Sequence, residues 1–163
     1  MKTESETRSA KYIKNMEIVP EWTEEEKKII AWSICWEGSI GLYRGRNSNC
    51  IYARIDIGNT NFELLEEFKN IVKIGRINKR KPSKSISNAK PQKAWVVCRA
   101  KDIYYLLKTI FPYLPSKRRH AELVIEFLEQ RLLKGWTCLK RPPTTRELEI
   151  FKELKTLYGN FTC

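Results

Sequence analysis

Long apolar runs are missing from this sequence, and none approaches the roughly 18 residues that a membrane-spanning helix needs. The N-terminal stretch Met-Lys-Thr-Glu-Ser-Glu-Thr-Arg has no apolar centre, so we expect no secretory signal peptide. A zinc site is not expected either, because there is one histidine and the five cysteines form no CxxC pair. The sequence therefore predicts a soluble intracellular protein, in the cytoplasm or an organelle matrix, with free thiols and no membrane partner.

Acidic residues are few as well. Lysine and arginine number 31 against 19 aspartates and glutamates, a formal net charge of +12, and no acid lies between Lys69 and Lys101. Such an excess favours a polyanionic partner or an anionic surface, and of these nucleic acid is the better candidate. With 163 residues and 42% hydrophobic content, the chain has the size and composition of one domain with a single core.

The first predicted helix is apolar around most of its circumference. Thr23 and Glu26 have the spacing of a capping box, which predicts a helix over about 24–36. The apolar residues of this helix are Ile29, Ile30, Trp32, Ile34, Cys35 and Trp36. A helix of this kind must be buried on two sides, against its own sheet and against something else. Cys35 as a catalytic nucleophile is an alternative use of one of these residues, but no base lies near it in the sequence.

Two segments in which apolar and polar residues alternate predict two β-hairpins. The first has strands at about 39–47 and 50–58, and the second has strands at about 74–80 and 93–99. A solvated outer face would explain the polar positions of one hairpin. Since the second hairpin repeats the basic character of the first, we predict a four-stranded antiparallel sheet with one helix-covered face and one basic face.

Further helices complete the predicted α+β order. The apolar spacing predicts helices over about 60–72, opened by a Thr60–Glu63 capping box, over 101–114, broken by Pro112, and over 116–133. A last amphipathic helix, opened by Thr144–Glu147, either packs on the core or contacts a partner. His120 is predicted to lie on the surface of the 116–133 helix. The organisation is an N-terminal extension at 1–22, a domain at 23–135 and a C-terminal extension at 136–163.

Two blocks of the sequence resemble the LAGLIDADG homing endonuclease family. The first is Trp-Glu-Gly-Ser-Ile at 36–40, preceded at the family's spacing by Ile30-Ala31. The second is Phe111–Val124, similar to the family's segment of proline, aromatic residue and leucine, followed by lysine and a helix that begins Ala-x-Leu. The order of elements over 27–133 is similar too. The resemblance implies the family's αββαββα fold, with a four-stranded antiparallel DNA-binding saddle and extra C-terminal helices.

The resemblance also implies catalytic residues. Glu37 corresponds to the family's metal-binding acid, and the metal is assigned to Glu37 and the adjoining Trp36. Lys117 corresponds to the family's active-site lysine. Magnesium is the implied cofactor, and Mn²⁺ or Ca²⁺ could occupy the same site. The family's solvent-ordering polar group falls at Ile57 by strict counting, so Asn59 is the candidate for this catalytic role, although an asparagine at this point also suits a turn.

A homodimer follows from the same resemblance, because one Glu37 per chain is too few for a site with two metal ions and the sequence has no second motif. The implied interface is the first helix, and its symmetry implies a roughly palindromic duplex target. Trp32 and Trp36 replace the family's glycine and small residue, which predicts a wider or re-packed helix seam. The implied reaction is a metal-dependent double-strand break at a specific DNA site, made across the minor groove with short 3′ overhangs by an intron-encoded enzyme.

The basic sheet face supplies the predicted contacts to double-stranded DNA, since a two-stranded ribbon fits the major groove. Whether Arg44 or Arg46 faces the DNA is open, because Gly45 can break the strand alternation. The predicted DNA-binding residues are Tyr43, Arg44, Arg46, Asn47, Tyr52, Arg54, Asp56, Arg76, Asn78 and Arg80, with Lys79 and Lys93 as phosphate contacts.

Two other functions fit the same pattern. A non-catalytic protein on the same scaffold, such as an intron maturase or a DNA-binding regulator, would use the basic sheet to hold intron RNA or DNA, with Glu37 only ending a helix. A basic RNA-associated protein unrelated to the family is the other alternative. DNA cleavage that depends on Glu37 separates the nuclease from both.

Overall fold

Five α-helices and four β-strands make up the part of the chain that the computed structural model describes, residues 19–45, 49–80, 90–133 and 142–159. They are α1 Glu24–Glu37, β1 Gly38–Arg44, β2 Ile51–Asn59, α2 Phe62–Val72, β3 Arg76–Arg80, β4 Gln92–Val97, α3 Ala100–Ile110, α4 Arg118–Leu133 and α5 Thr145–Gly159. A 3₁₀ turn at Phe111–Tyr113 follows α3. The predicted α+β class and αββαββα order are confirmed. No helix within these ranges is both long and apolar enough to cross a membrane.

The four strands form one antiparallel sheet in the order β1-β2-β4-β3. Gly38 of β1 pairs with Ile57 of β2, and Ile55 of β2 pairs with Val97 of β4. Because side chains alternate along a strand, this register puts the isoleucines of β2 under the helices and its polar residues on the other side. We call that other side the open face. Its polar residues are Ser39, Tyr43, Tyr52, Arg54, Asp56, Arg76, Asn78, Arg80 and Gln92.

The core lies between the sheet and the helices that cover it. Trp95 of β4 is fully buried, and its ring meets Phe68 of α2 edge-on at 4.9 Å between centroids. Its indole N–H donates to the Ile74 carbonyl at 2.8 Å. Gly75 adopts φ +84°, and a Cβ there would lie 2.6 Å from the Trp95 Nε1. Both its backbone conformation and its surroundings therefore require glycine.

The capping boxes were predicted with mixed success. The Thr23 hydroxyl accepts from the Glu26 N–H, and the Glu26 carboxylate accepts from the Thr23 N–H, as predicted. The Thr60–Glu63 box was wrong, because the N-cap of α2 is Asn61, whose side chain accepts from the Leu64 N–H at 3.2 Å. Asparagine is at least as good an N-cap as threonine, so the helix begins one residue later than the box implied.

The last helix packs on the core rather than standing apart from it. Helix α5 covers β1, an edge strand, and its Tyr158 hydroxyl accepts from the Ile40 N–H at 2.9 Å and donates to the Ile40 carbonyl. Arg131 of α4 and Glu147 of α5 form a buried ion pair at 3.1 Å. The exposed backbone groups of an edge strand are a template for unwanted pairing, so α5 protects this side of the sheet.

Two side chains lie deeper than predicted. His120 was predicted on the surface, but it is 4% exposed and its ring meets Tyr158 edge-on at 4.9 Å. That prediction was wrong because α5 covers this part of α4. Trp22, placed in the 1–22 extension, is 7% exposed and its indole N–H donates to the Ile71 carbonyl at 3.2 Å. The end of that extension therefore packs on the domain, while residues 1–18 lie outside the described ranges.

Candidate active site and open sheet face

Helix α1 passes into β1 without a loop. Glu37 is the last residue of the helix and Gly38 is the first residue of the strand. A Cβ at Gly38 would lie 2.9 Å from the carbonyl oxygens of Asp56 and Ile34, so no side chain fits between helix and strand. The Glu37 side chain is exposed. A carboxylate at a helix C-terminus is opposed by the helix dipole, so helix stability does not explain this acid.

Lys117 approaches the same junction from the residue before α4. Its ammonium donates to the Gly38 carbonyl at 2.5 Å and to the Ile34 carbonyl at 3.2 Å, so it lies against the last turn of α1. Burial lowers the pKa of Lys117, and the negative charge of Glu37 acts in the opposite direction. The structure thus brings together the acid and the lysine that the two sequence blocks predict.

Lys117 has an unusual backbone. Its φ is 58°, in the left-handed region that a non-glycine residue seldom adopts. The Cys35 thiol, buried in α1, donates to the carbonyl of the preceding residue Ser116 at 3.0 Å. This contact between residues 81 positions apart was missed by sequence reasoning, which considered Cys35 only as a nucleophile. It fixes the peptide that carries Lys117 against the helix that carries Glu37.

The tryptophans of α1 lie on its outer side. Trp36 is 71% exposed, Trp32 is 50% exposed and their rings are 6.2 Å apart. Ile29 is 47% exposed on the same side of the helix. We call Ile29, Trp32 and Trp36 the tryptophan face. An indole has no lone pair to offer a cation, so Trp36, predicted with Glu37 as a metal ligand, can bind one only through its backbone carbonyl.

The donor atoms near Glu37 are few but compatible with magnesium. Among the described residues there is no group of three or more histidines, cysteines and acids that could hold a metal ion. Mg²⁺ is usually bound by one or two carboxylates, with water and phosphate oxygens completing six positions. Glu37, exposed at the end of α1, can supply one such carboxylate.

Asn59, predicted as a catalytic residue, forms a turn. Its side-chain oxygen accepts from the Asn61 N–H at 2.9 Å, just before α2 begins. The register pairs Asn59 with Lys93, which is on the helix-covered side of the sheet. The structure therefore does not bring Asn59 to Glu37 and Lys117 through any described contact, and its local hydrogen bond is that of an Asx-turn.

Asp56 lies inside the open face and gathers three side chains. It is 5% exposed, and its Oδ2 accepts from Nη2 of Arg54 and from Nη2 of Arg80, both at 2.7 Å. The Ser39 hydroxyl donates to its Oδ1. We call Ser39, Arg54, Asp56 and Arg80 the Asp56 cluster. Asp56 was predicted as a DNA contact, but the structure places its carboxylate beneath two arginines.

The remaining predicted contacts divide between the two sides of the sheet. Tyr43 and Tyr52 stack at 6.0 Å on the open face, and the exposed Arg76 and Asn78 share that face. Register puts Arg44, Lys79 and Lys93 on the other side. Arg44 lies 5.7 Å from the Phe151 ring centroid of α5, and Lys93 lies 4.5 Å from that of Phe62. Arg44 therefore does not lie on the open face. The predicted contacts Arg46 and Asn47 lie outside the described residues.

Comparison with solved structures finds proteins of similar fold, whereas comparison of sequences finds none. No protein-family model matches the chain, and no curated protein is significantly similar to it. The homing endonuclease I-CvuI in complex with its target is 16% identical over 84% of this chain and 98% of its own, with a TM-score of 0.53. The group I intron-encoded homing endonuclease I-CeuI complexed with DNA is 14% identical over 98% and 82%, with a TM-score of 0.62.

The LAGLIDADG meganuclease I-AabMI, bound to uncleaved DNA, is 19% identical over 82% of this chain and 49% of its own, with a TM-score of 0.58. The chain has the LAGLIDADG homing endonuclease fold. At these identities the likeness concerns the fold alone. The closeness of Lys117 to Glu37 and the arginines of the open face are observed in this chain's own residues.

Proposed function

We propose that this chain is a LAGLIDADG homing endonuclease that makes a metal-dependent double-strand break in a long, nearly palindromic DNA site as a homodimer. The observation that carries the proposal is the meeting of exposed Glu37 and the Lys117 ammonium where α1 enters the sheet. An acid opposed by the helix dipole and a lysine in a left-handed conformation are both unfavourable placements, which are typical of functional sites.

Glu37 and the backbone carbonyl of Trp36 are the proposed Mg²⁺ ligands, with Mn²⁺ or Ca²⁺ as substitutes. When bound, a divalent ion activates a water and neutralises charge on the scissile phosphate. The Lys117 ammonium stabilises the negative charge that develops on that phosphate. Its lowered pKa follows from burial, and a partly desolvated cation interacts with an anion more strongly than one in water.

Homodimerisation through the tryptophan face is supported by three exposed apolar side chains on one side of α1. Contiguous exposed apolar patches mark interaction sites, and aromatic residues are enriched at protein interfaces. The chain also covers 98% of I-CvuI but only 49% of I-AabMI, which agrees with one structural unit per chain. A two-fold axis at α1 would place the two Glu37 residues side by side, one for each strand of the duplex.

Duplex DNA is the proposed substrate. The chain carries +12 charges, and the open face presents Arg54, Arg76, Arg80 and Asn78 on a two-hairpin sheet. I-CvuI and I-CeuI were both solved with DNA. Arginine and asparagine are the side chains that most often read guanine and adenine in the major groove.

The decisive experiment uses the purified chain with Mg²⁺ and a duplex that joins the sequences flanking its own gene. We expect wild-type protein to cut both strands, and Glu37→Gln to bind the duplex without cutting it. Glu122→Gln is the matched control, because Glu122 is an exposed acid of α4 that pairs with Arg119 and lies outside the proposed site. Cleavage retained by Glu37→Gln would refute the proposed catalytic site. Tight binding to structured intron RNA without any DNA cleavage would favour a maturase instead.

A further inference from the structure

We propose that Asp56 couples Arg54 and Arg80, so that the base pairs contacted by the first and second hairpins are recognised jointly instead of independently. This inference rests on the proposed function, since it concerns the DNA that the open face would bind. It assigns Asp56 a positioning role, and the two arginines the direct contacts.

The coupling is built from three strands. Asp56 and Arg54 belong to β2, Ser39 to β1 and Arg80 to β3, and β3 is separated from β2 by β4. The Arg80 side chain therefore crosses β4 to reach the carboxylate, and Gly58 makes room for it. A Cβ at Gly58 would lie 2.5 Å from the Arg80 Nη1. Gly58 pairs with Ala94 of β4, so two small residues lie along the path that Arg80 takes.

The two arginines share one acceptor atom. Both donate from Nη2 to Oδ2 of Asp56 at 2.7 Å, whereas Oδ1 is occupied by the Ser39 hydroxyl. Each guanidinium has five N–H donors in a rigid plane, so a single bond to the carboxylate orients the plane and leaves other donors for a ligand. Arg54 is held further by the Tyr43 ring, 5.7 Å away. Arg54 and Arg80 remain 29% and 42% exposed, which leaves them accessible from the open face.

Because the Asp56 carboxylate is buried, Arg54 and Arg80 cannot leave it independently of each other. Asp56 is 5% exposed, and a buried carboxylate requires its positive partners. If one arginine is drawn toward a base, the other must carry more of the interaction with Asp56. The position of Arg54 therefore depends on what Arg80 contacts, and the reverse holds equally. Groups in one such network are typically non-additive by about twofold or more in an equilibrium constant.

The cluster lies at the active-site end of the sheet. Ser39 pairs with Asp56 in the first ladder, and Gly38, which follows Glu37, pairs with the next residue of β2. Arg54 and Arg80 therefore converge beside the junction that carries the proposed catalytic acid. Joint recognition is expected at the base pairs nearest the cut, and the outer base pairs are read independently.

The experiment selects bound duplexes from a library randomised at every position of the flanking-sequence target. It compares wild type, Arg54→Ala, Arg80→Ala and the double variant, first with Asp56 present and then in the Asp56→Asn background. We expect affinities for the preferred duplex to deviate from additivity by at least about threefold with Asp56 present. We also expect the preferences lost in the two single variants to fall at overlapping central positions. In the Asp56→Asn background both effects disappear.

Asp102→Asn is the matched control, because it removes the same charge from an ion pair with Arg99 in α3 and leaves the open face unchanged. Thermal unfolding shows which variants are folded. If Asp56→Asn does not fold, the cycle with Asp56 intact still decides the question. If the wild-type protein selects and cuts a duplex but the effects of Arg54→Ala and Arg80→Ala on affinity are additive, the coupling through Asp56 is overturned. The proposed function is then unaffected. A wild-type protein that selects no duplex overturns the proposed function as well.

Discussion

Lys117 combines an unusual backbone with a specific set of contacts. Its ammonium donates to the carbonyl of Ile34 in the last turn of α1 and to the carbonyl of Gly38 at the start of β1, beside the proposed catalytic acid. Removal of a group that stabilises transition-state charge typically slows chemistry by about 10²–10³-fold. We therefore expect Lys117→Ala to reduce the single-turnover cleavage rate by that factor and to change DNA affinity less than about threefold. Quenched-flow cleavage and equilibrium binding measure the two quantities.

Lys73 is the matched control for this variant, since it is also a lysine in the left-handed region, with φ 60°, and is exposed. Lys73→Ala removes the same kind of side chain from the same backbone conformation, so the two variants have comparable effects on the local backbone. Its cleavage rate should equal that of wild type. Equal losses of rate and affinity in Lys117→Ala would mean that Lys117 only anchors a phosphate.

His120 makes stability depend on pH. Burial lowers the pKa of His120 below its ordinary 6.5, and the Lys117 charge adds to this. Among the described residues, its Nε2 is buried without a hydrogen-bond partner. Because the unfolded chain binds the proton more tightly, the stability that neutral His120 contributes is complete above pH 6.5 and is lost as pH falls below it.

We expect His120→Phe to lose less free energy of unfolding than wild type between pH 7.5 and pH 5, measured by urea denaturation. The aromatic ring preserves the packing against Tyr158, so the comparison isolates the titration. Parallel pH profiles for the two proteins would contradict this explanation.

The closeness of Glu37 and Lys117 could be anticipated because each lies in a short continuous block of sequence, and their catalytic roles remain predictions. The burial of Asp56 could not be foreseen, since two of its three partners, Ser39 and Arg80, are 17 and 24 positions away and belong to other strands. Alternation correctly put Asp56 on the open face, but it cannot distinguish a side chain that reaches solvent from one covered by its neighbours. Metal binding and the DNA contacts remain predictions.

At the scale of elements, periodicity and capping recovered most of the fold. Helix α1 was predicted over about 24–36 and ends at Glu37, and the strands of both hairpins were located within a few residues. The packing of α5 could only be left open, because an amphipathic helix shows that it needs a partner without showing which one.

The attachment of α5 depends on a buried ion pair. Arg131 and Glu147 are 6% and 0% exposed at their side chains. Removal of one partner from a buried ion pair is strongly destabilising, so we expect Glu147→Ala to lower the free energy of unfolding by about 3–5 kcal/mol. Glu149→Ala is the control, since Glu149 forms an exposed pair with Arg146 and its loss is worth about 0–1 kcal/mol. Similar losses in both variants would show that burial of the pair is unimportant.

At the scale of the whole molecule, the tryptophan face is the surface on which the dimer proposal depends. A buried interface tryptophan commonly contributes about 2 kcal/mol or more. We therefore expect Trp36→Glu to raise the dimer dissociation constant at least about 30-fold, measured by sedimentation, and to abolish double-strand cleavage at low protein concentration. Thermal unfolding of the monomer should change little, because Trp36 is 71% exposed.

Leu64→Glu is the control for this substitution, because Leu64 is an exposed apolar residue of α2, 47% exposed and away from α1's outer side. It should leave the association state unchanged. A wild-type chain that stays monomeric on duplex DNA would refute the homodimer.

The glycine joint between α1 and β1 has a consequence for attempts to retarget such a protein. With no side chain tolerated at Gly38, the proposed catalytic acid and the proposed DNA-binding face are held at a fixed separation. Substitutions in the hairpins can change which base pairs are preferred. The distance from those base pairs to the cleavage position is set by the single peptide unit that joins α1 to β1. Altering that spacing requires rebuilding the joint itself.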